Sequence, residues 1–211
     1  MTATLKKPPR SKSAQPRVRS ATRLSNGEPR TLQWTRTEYH RLADEGFFRN
    51  QRVQLIEGSI IEMSPQKHPH AAGIDLTRAA VEAAFGRGYW FRNQLPLKLS
   101  DISEPEPDLA IVRGGPRDWT DHPTTADLVI EISDSTLRFD LKDKAALYAQ
   151  ALIPEYWVVD LVNQQLIVHR QPKRLRSKSA RYEEVTIHEA DAVVKPLAKP
   201  RASVKVADLL P

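Results

Sequence analysis

Pro-Glu-Pro-Asp-Leu-Ala-Ile-Val occupies residues 105–112, Asp-Leu-Val-Ile-Glu-Ile-Ser occupies residues 127–133, and a helical pattern follows as far as residue 152. Both quoted runs contain a short apolar segment rich in β-branched residues, which predicts two strands. The second run is apolar from Leu128 to Ile132 except at Glu131, so we expect a central strand covered on both faces. Each strand therefore has one acid, Asp108 at the beginning of the first and Glu131 inside the second.

Patterns on both sides of this stretch predict further helices and strands. Thr35 and Glu38 form a capping-box pattern for a first helix, and Glu57-Gly58 is a tight turn between two β-rich runs. Helices are expected at residues 68–85 and 137–152, strands at 89–99, 156–160, 165–170 and 182–187, a basic loop at 173–181, and a short docking segment at 204–210. The order predicts an α/β or α+β fold with a mixed central sheet, flanking helices and β-hairpins.

Positive charge is concentrated at the amino-terminal end of the chain. The net charge is +6, but residues 1–30 contain eight Lys or Arg residues and one acid, Glu28, so the remaining residues carry about −1. This segment is rich in Pro and Ser and poor in apolar residues, which predicts a disordered basic tail. Such a tail either binds polyanions or only keeps the protein soluble, and the sequence leaves both open.

Length and composition limit the class of protein. A chain of 211 residues can form one domain with a proper core, which we predict at residues 31–211. The sequence has no Cys, which excludes disulfides and thiolate metal sites and suits a reducing compartment. No run reaches the roughly 18 apolar residues of a membrane span, and no apolar segment typical of a secretory signal follows the first basic residues. We therefore expect a soluble, cytoplasmic protein without a membrane partner.

The two acids in apolar strands indicate a functional site. Glu131 interrupts a run that otherwise belongs in a core, and burial of an unpaired carboxylate is so unfavourable that Glu131 needs a metal ion, a lysine or backbone N–H groups as a partner. Asp108 precedes a strand that we expect to be its neighbour. This arrangement favours a shared metal site over a purely structural ion pair.

The helix at residues 137–152 has two candidate lysines. Its buried stripe is expected to consist of Leu137, Leu141, Ala145, Tyr148 and Leu152. At about 100° per residue, Lys144 lies about 60° from Leu141, at the border of this stripe, whereas Lys142 points to solvent. A lysine at such a border either extends its charge into solvent or meets a carboxylate.

Asp108, Glu131 and Lys144 together fit the hydrolysis of a phosphodiester. The two carboxylates would bind Mg²⁺ (or Mn²⁺), which prefers oxygen ligands and would lower the pKa of a bound water. Lys144 would orient that water or stabilise the developing negative charge. Glu57 is a candidate third acid, although its place in a Glu-Gly turn fits a plain hairpin equally well. His70, near the start of the second helix, is a candidate for contact with phosphate, but such a His is more often a surface or capping residue, so we place it outside the site.

These residues belong to a longer pattern. Its pieces are Leu-Ile-Glu-Gly-Ser-Ile-Ile-Glu-Met-Ser-Pro at residues 55–65, Pro-Asp-Leu-Ala-Ile-Val at 107–112, Val-Ile-Glu-Ile-Ser-Asp-Ser-Thr at 129–136, Asp-Leu-Lys-Asp-Lys-Ala-Ala-Leu-Tyr-Ala at 140–149 and Pro-Glu-Tyr-Trp-Val-Val-Asp at 154–160. In this order the pieces resemble the Uma2 family, restriction-endonuclease-like proteins within the PD-(D/E)xK nuclease superfamily. The resemblance covers roughly residues 35–170.

The resemblance implies a restriction-endonuclease-like fold, a divalent metal and phosphodiester hydrolysis, with DNA as the expected partner and RNA left open. Asp108 looks like the motif Asp of the superfamily and Glu131 like its second acid. The superfamily lysine usually follows the second acid by two positions, where this chain has Ser133, and Lys144 looks like a relocated equivalent. Gln54 stands where many relatives have Glu.

Two alternatives to an active nuclease follow from the same residues. The first is a catalytically inactive nucleic-acid-binding or defence-associated module that keeps the nuclease fold. The second is a structural protein in which Glu131 and Lys144 form only a buried salt bridge. The sequence leaves the oligomeric state open. Because nucleases that cut both strands often act in pairs, one arrangement that it allows is a homodimer with the apolar hairpin that begins at Tyr156 as its interface.

Overall fold

The computed structural model describes residues 31–176 and 179–211, which include one compact unit, Leu32–Pro211. The predicted basic tail at residues 1–30 lies outside the described residues. The helices are α1 (Arg36–Asp44), α2 (His68–Phe85), α3 (Leu137–Phe139) and α4 (Ala145–Gln150), with a π-helical turn (Asp140–Lys144) between α3 and α4. The strands are β1 (Val53–Ile56), β2 (Ser59–Glu62), β3 (Tyr89–Asn93), β4 (Leu109–Arg113), β5 (Leu128–Ser133), β6 (Glu155–Asp160), β7 (Gln165–Arg174), β8 (Ala180–Glu189), β9 (Val193–Val194) and β10 (Val204–Lys205).

A mixed six-stranded sheet in the order β3-β4-β5-β6-β7-β8 forms the centre of the fold. Neighbouring strands are antiparallel except for β5 and β6, which are parallel. The connection between β5 and β6 runs through α3, the π-helical turn and α4, because parallel neighbours need a crossover rather than a tight turn. The hairpins β1–β2 and β9–β10 are separate from this sheet. The predicted mixed sheet with flanking helices is thereby confirmed.

Both faces of the central sheet are buried. Leu109 and Ile111 of β4 pack in one core with residues of α2 and the carboxyl-terminal segment, whereas Ala110 of β4 packs in a second core with residues of α4. This alternation follows from the period of two along a strand. Every residue of β5 is buried, as predicted for a central strand. Over the described residues, no helix is both long enough and apolar enough to cross a membrane.

Local signals in the sequence set several element ends correctly. The capping box predicted for α1 is present, with the Thr35 hydroxyl and the Glu38 carboxylate each bonded to the other residue's backbone N–H. The turn between β1 and β2 places Glu57 at a φ of 48° and Gly58 at 76°, the left-handed conformation that tight hairpins require. The carboxyl-terminal segment docks on α2, where the Thr77 hydroxyl donates to the carbonyl of Leu209.

Three predicted boundaries are wrong. The strand expected at residues 89–99 ends at Asn93, because Gln94 has a φ of 50° and turns the chain out of the sheet. The loop expected at residues 173–181 is shorter, since the β7–β8 pairing continues to Arg174 and Ala180. The single helix expected at residues 137–152 consists of α3, the π-helical turn and α4 in succession, and α4 ends at Gln150.

The hairpin formed by β6 and β7 lies inside the sheet rather than at its edge. β6 pairs with β5 on its other side, and β7 pairs with β8. All six residues of β6 are buried. The structure therefore contradicts the use of this hairpin as a dimer interface, because its apolar residues already contribute to the core of the same chain.

Candidate active site

Asp108 lies at the point where an extended segment enters β4. Its Oδ2 accepts a hydrogen bond from the backbone N–H of Ile132 at 2.9 Å, which fixes the carboxylate against β5. Its Oδ1 accepts from Gln94 Nε2 at 3.2 Å and lies 3.2 Å from His70 Nε2. The residue is 5% exposed, so its negative charge depends on these contacts.

Glu131 is directly beside Asp108. Leu109 pairs with Ile130 in the antiparallel β4–β5 ladder, so Asp108 and Glu131 face one another one position further along. The backbone N–H of Asp108 lies 3.4 Å from Glu131 Oε2. The other carboxylate oxygen, Oε1, accepts from the Tyr148 hydroxyl at 2.7 Å and is 2.7 Å from Lys144 Nζ. Both acids are thus held within one buried cluster.

Lys144 reaches Glu131 from the π-helical turn. Its side chain is 6% exposed, and its ammonium group is also 3.9 Å from Asp140 Oδ1. The turn is held at its first residue, where the Thr136 hydroxyl donates to Asp140 Oδ2 at 2.6 Å and the Tyr156 hydroxyl donates to the Asp140 carbonyl at 3.0 Å. Single π-helical turns are frequent at functional sites. Here the turn directs Lys144 to Glu131.

Burial and neighbouring charges shift the pKa values of Glu131 and Lys144. Burial raises the pKa of Glu131 to about 8, although the adjacent Lys144 ammonium opposes this shift. Burial by itself would lower the pKa of Lys144, but Glu131, Asp140 and Asp108 outweigh it and raise that pKa. Lys144 therefore keeps its proton, whereas burial makes the charged form of Glu131 less favourable than it is in water.

Asp108 and His70 form the other charged pair of the site. Burial alone would raise the pKa of Asp108, but the hydrogen bond and charge of His70, the Lys144 ammonium and the Ile132 N–H together lower it. Burial would lower the pKa of His70, but the hydrogen bond and charge of Asp108 outweigh it and raise that pKa. Of the two acids Asp108 and Glu131, Asp108 is therefore the one whose charged form the site favours.

Three of the four predicted site residues open onto one cavity of about 580 Å³. Asp108, Glu131 and Lys144 line it together with His70 and Asp140. Further lining residues include two with positive charge, Arg52 and Lys67, and three from the segment after β5, Asp134, Ser135 and Thr136. The cavity is large enough to admit a small substrate group and connects buried charges with solvent.

The structure does not bring Glu57 to this cavity. Glu57 lies in the β1–β2 turn, where its Oε1 accepts from the Ser103 hydroxyl at 3.3 Å, and it lines a different cavity. Gln54 of β1 does line the first cavity, and its side-chain oxygen accepts from the Glu106 N–H at 3.2 Å. Ser133, at the usual lysine position, is buried and its hydroxyl lies 3.4 Å from that of Thr136.

Sequence reasoning missed three residues of the cluster. The sequence pattern places His70 outside the site, yet it contacts Asp108 from α2 on the opposite layer. The pattern predicts Tyr148 only as part of the buried stripe and makes no prediction for Asp140. The spacing of Asp140, Lys144 and Tyr148 at intervals of four residues was an available signal, because such residues lie on one face of a helix.

The residues present fit a divalent metal of the magnesium type. Among residues 31–176 and 179–211, no group of three or more His, Asp or Glu side chains is arranged as a complete metal cage. Mg²⁺ is usually held by one or two carboxylates, with water and substrate phosphate as its other ligands. Asp108 and Glu131 supply two oxygen donors at a cavity, and burial raises the pKa of Glu131, so a bound cation would stabilise its charged form.

Comparison with known proteins identifies the family of this chain. Residues 36–206 match the family model of Uma2, described as "Putative restriction endonuclease". The chain belongs to the Uma2 family. No curated protein matches the sequence.

A solved structure shares the fold. It is described as a "putative nuclease belonging to DUF820" from Anabaena variabilis ATCC 29413. The two chains are 19% identical, with a TM-score of 0.60 over 83% of this chain and 96% of the other. At this level of identity the similarity concerns the architecture, whereas the assignment to the family rests on the sequence match.

Proposed function

We propose that this protein is a metal-dependent nuclease that hydrolyses phosphodiester bonds in DNA. The observation that carries the proposal is the meeting of Asp108, Glu131 and Lys144 at one cavity, with Lys144 Nζ 2.7 Å from Glu131 Oε1. Two acids and a fixed cation in a buried site suit a reaction whose transition state spreads negative charge over phosphate oxygens. The description of the Uma2 family supports DNA as the substrate, with RNA as the alternative.

Asp108 and Glu131 would hold Mg²⁺ or Mn²⁺. When bound, the metal lowers the pKa of a coordinated water and neutralises charge on the phosphate. Asp108 is suited to bind a cation because it is ionised and is fixed by the Ile132 N–H. Glu131 gains most from a cation, since burial disfavours its charged form.

Lys144 and His70 act on the same site from two layers of the fold. Lys144 places a protonated ammonium group beside Glu131, where it stabilises negative charge on a phosphate or orients the attacking water. His70 holds Asp108 through Oδ1 and is a positioning residue in this proposal. Tyr148 fixes Glu131 Oε1 through its hydroxyl. These contacts keep the acids in one orientation before substrate binds.

Cleavage of DNA by the purified protein tests the proposal. We expect cleavage of plasmid DNA with Mg²⁺ or Mn²⁺, and a loss of at least about 100-fold for Asp108→Asn and Lys144→Met. Lys142→Met is the matched control, because Lys142 is exposed and does not line the cavity. Absence of cleavage of both DNA and RNA would instead support the inactive nucleic-acid-binding module.

A homodimer and a cytoplasmic location remain predictions. β8 is an edge strand, and its Val185 and Ile187 are 52% and 61% exposed, which makes it a better candidate interface than the β6–β7 hairpin. Sedimentation across a concentration series measures the oligomeric state. A monomer at every concentration would contradict the dimer without affecting the proposed chemistry.

A further inference from the structure

A second cavity lies directly beside the candidate active site. Its volume is about 340 Å³, and it is bounded by the β1–β2 hairpin and α4. Ile61 and Phe139 line both cavities, so the two spaces share a wall. A group bound in the second cavity would therefore adjoin a group that reacts in the first.

Two carboxylates and a buried amide oxygen line the second cavity, together with the hydroxyls of Ser59 and Ser179. Glu57 and Asp143 contribute carboxylates, and among its described lining residues there is no Lys, Arg or His. Gln150 also lines this cavity, and within the described part of the chain its Oε1 is buried without a hydrogen-bond partner. A buried acceptor without a partner is unfavourable, so this oxygen lacks a donor that a ligand could supply.

Phe139 gives the shared wall an aromatic surface. It is the only Phe, Tyr or Trp side chain among the described residues that line either cavity, and it is half-buried. Flat heterocycles stack on such side chains, and nucleobases do so with little dependence on sequence. Ile61 adds an apolar contact at the same wall.

The two cavities differ in the part of a nucleic acid that each suits. A phosphate would be repelled by Glu57 and Asp143, which no positive side chain compensates among the described residues that line the second cavity. A nucleobase carries no charge and offers a stacking face and N–H donors. The amino groups of cytosine and adenine donate to carboxylate and amide oxygens in this manner.

We propose that the second cavity binds a nucleobase next to the reacting phosphodiester, stacked on Phe139, with its amino group donating to Gln150 Oε1 and to Glu57 or Asp143. This inference rests on the proposed function, because it assumes a nucleic acid in the first cavity. It gives Glu57 a role in contacting the base rather than in holding the metal. The expected preference is for cytosine over thymine, since thymine lacks the amino group.

Binding without divalent metal tests this inference separately from cleavage. Labelled single-stranded oligonucleotides of cytosine or thymine are titrated with the full-length protein in EDTA at constant ionic strength. We expect at least about fivefold tighter binding of the cytosine strand. Phe139→Ala should weaken binding of both strands by about 5- to 150-fold. Phe47→Ala is the matched control, because Phe47 is exposed and lines neither cavity.

Variants of Gln150 test the contact with the amino group. Gln150→Leu should abolish the preference for cytosine, whereas Gln150→Glu keeps an acceptor and should retain it. Equal binding of cytosine and thymine strands by the unchanged protein, or equal effects of Phe139→Ala and Phe47→Ala, would overturn the inference. A preference without any cleavage in Mg²⁺ would contradict the proposed nuclease activity and leave the base site standing.

Discussion

Replacement of Glu131 by Gln should stabilise the protein increasingly as the pH rises. Gln has the shape of Glu and can still accept from Tyr148, but it does not ionise. The pKa of Glu131 rises from 4.5 to about 8 in the folded protein because of burial. The folded state therefore favours the protonated form of Glu131. This preference stabilises the folded protein fully below pH 4.5, and the contribution is lost as the pH rises towards 8.

The size of this effect follows from the two pKa values. A difference of about 3.5 corresponds to about 5 kcal/mol of unfolding free energy, of which about 3 kcal/mol is already lost at pH 7. Glu131→Gln should thus resemble the unchanged protein near pH 4.5 and exceed it by about 5 kcal/mol above pH 8. Glu131 is also the group that raises the pKa of Lys144 most, so the gain is reduced to the extent that the Lys144 ammonium loses its partner in Glu131→Gln.

Urea unfolding at a series of pH values measures the difference. The fluorescence of Trp157, which is fully buried, reports the transition. Asp75→Asn is the matched control, since it removes one negative charge at an exposed position of α2. Parallel pH profiles for Glu131→Gln and the unchanged protein would show that Glu131 is ionised at neutral pH in the folded state, and would refute the argument from burial.

Three further predictions concern this site and the packing of α2 beside it. Tyr148→Phe should lower stability by about 1–3 kcal/mol, because Glu131 loses a buried hydrogen-bond donor, and thermal unfolding measures the loss. Gly73→Ala should lower the free energy of unfolding by about 1 kcal/mol net. The added Cβ would lie 2.9 Å from Ile132 Cγ2, and this crowding outweighs the better helix propensity of Ala. An unchanged melting temperature would count against so close a packing of α2 on β5. Mg²⁺ should raise the melting temperature of the unchanged protein but not of Asp108→Asn, and equal shifts would place the metal elsewhere.

The sequence predicted much of the architecture because its strongest signals are local. The apolar run interrupted by Glu131, the capping box at Thr35 and the Glu57-Gly58 turn each depend on residues close together along the chain. Helix phase alone predicted that Lys144 would face inward and Lys142 outward, as the structure shows. Contacts between distant segments have no such signal, which is why the extent of β3 and of β7–β8 pairing was predicted incorrectly.

By itself, then, the sequence determined that one acid accompanies each of two β-rich runs and that Lys144 would border the core. Only the tertiary structure decided how these groups meet: the antiparallel register places Asp108 beside Glu131, and the π-helical turn brings Lys144 to 2.7 Å from Glu131. It also brought His70 to Asp108 from the opposite layer and placed Glu57 at a second cavity. The physical reason is that strand period and helix phase fix the direction of a side chain, whereas its partner is fixed by packing between segments far apart in the chain.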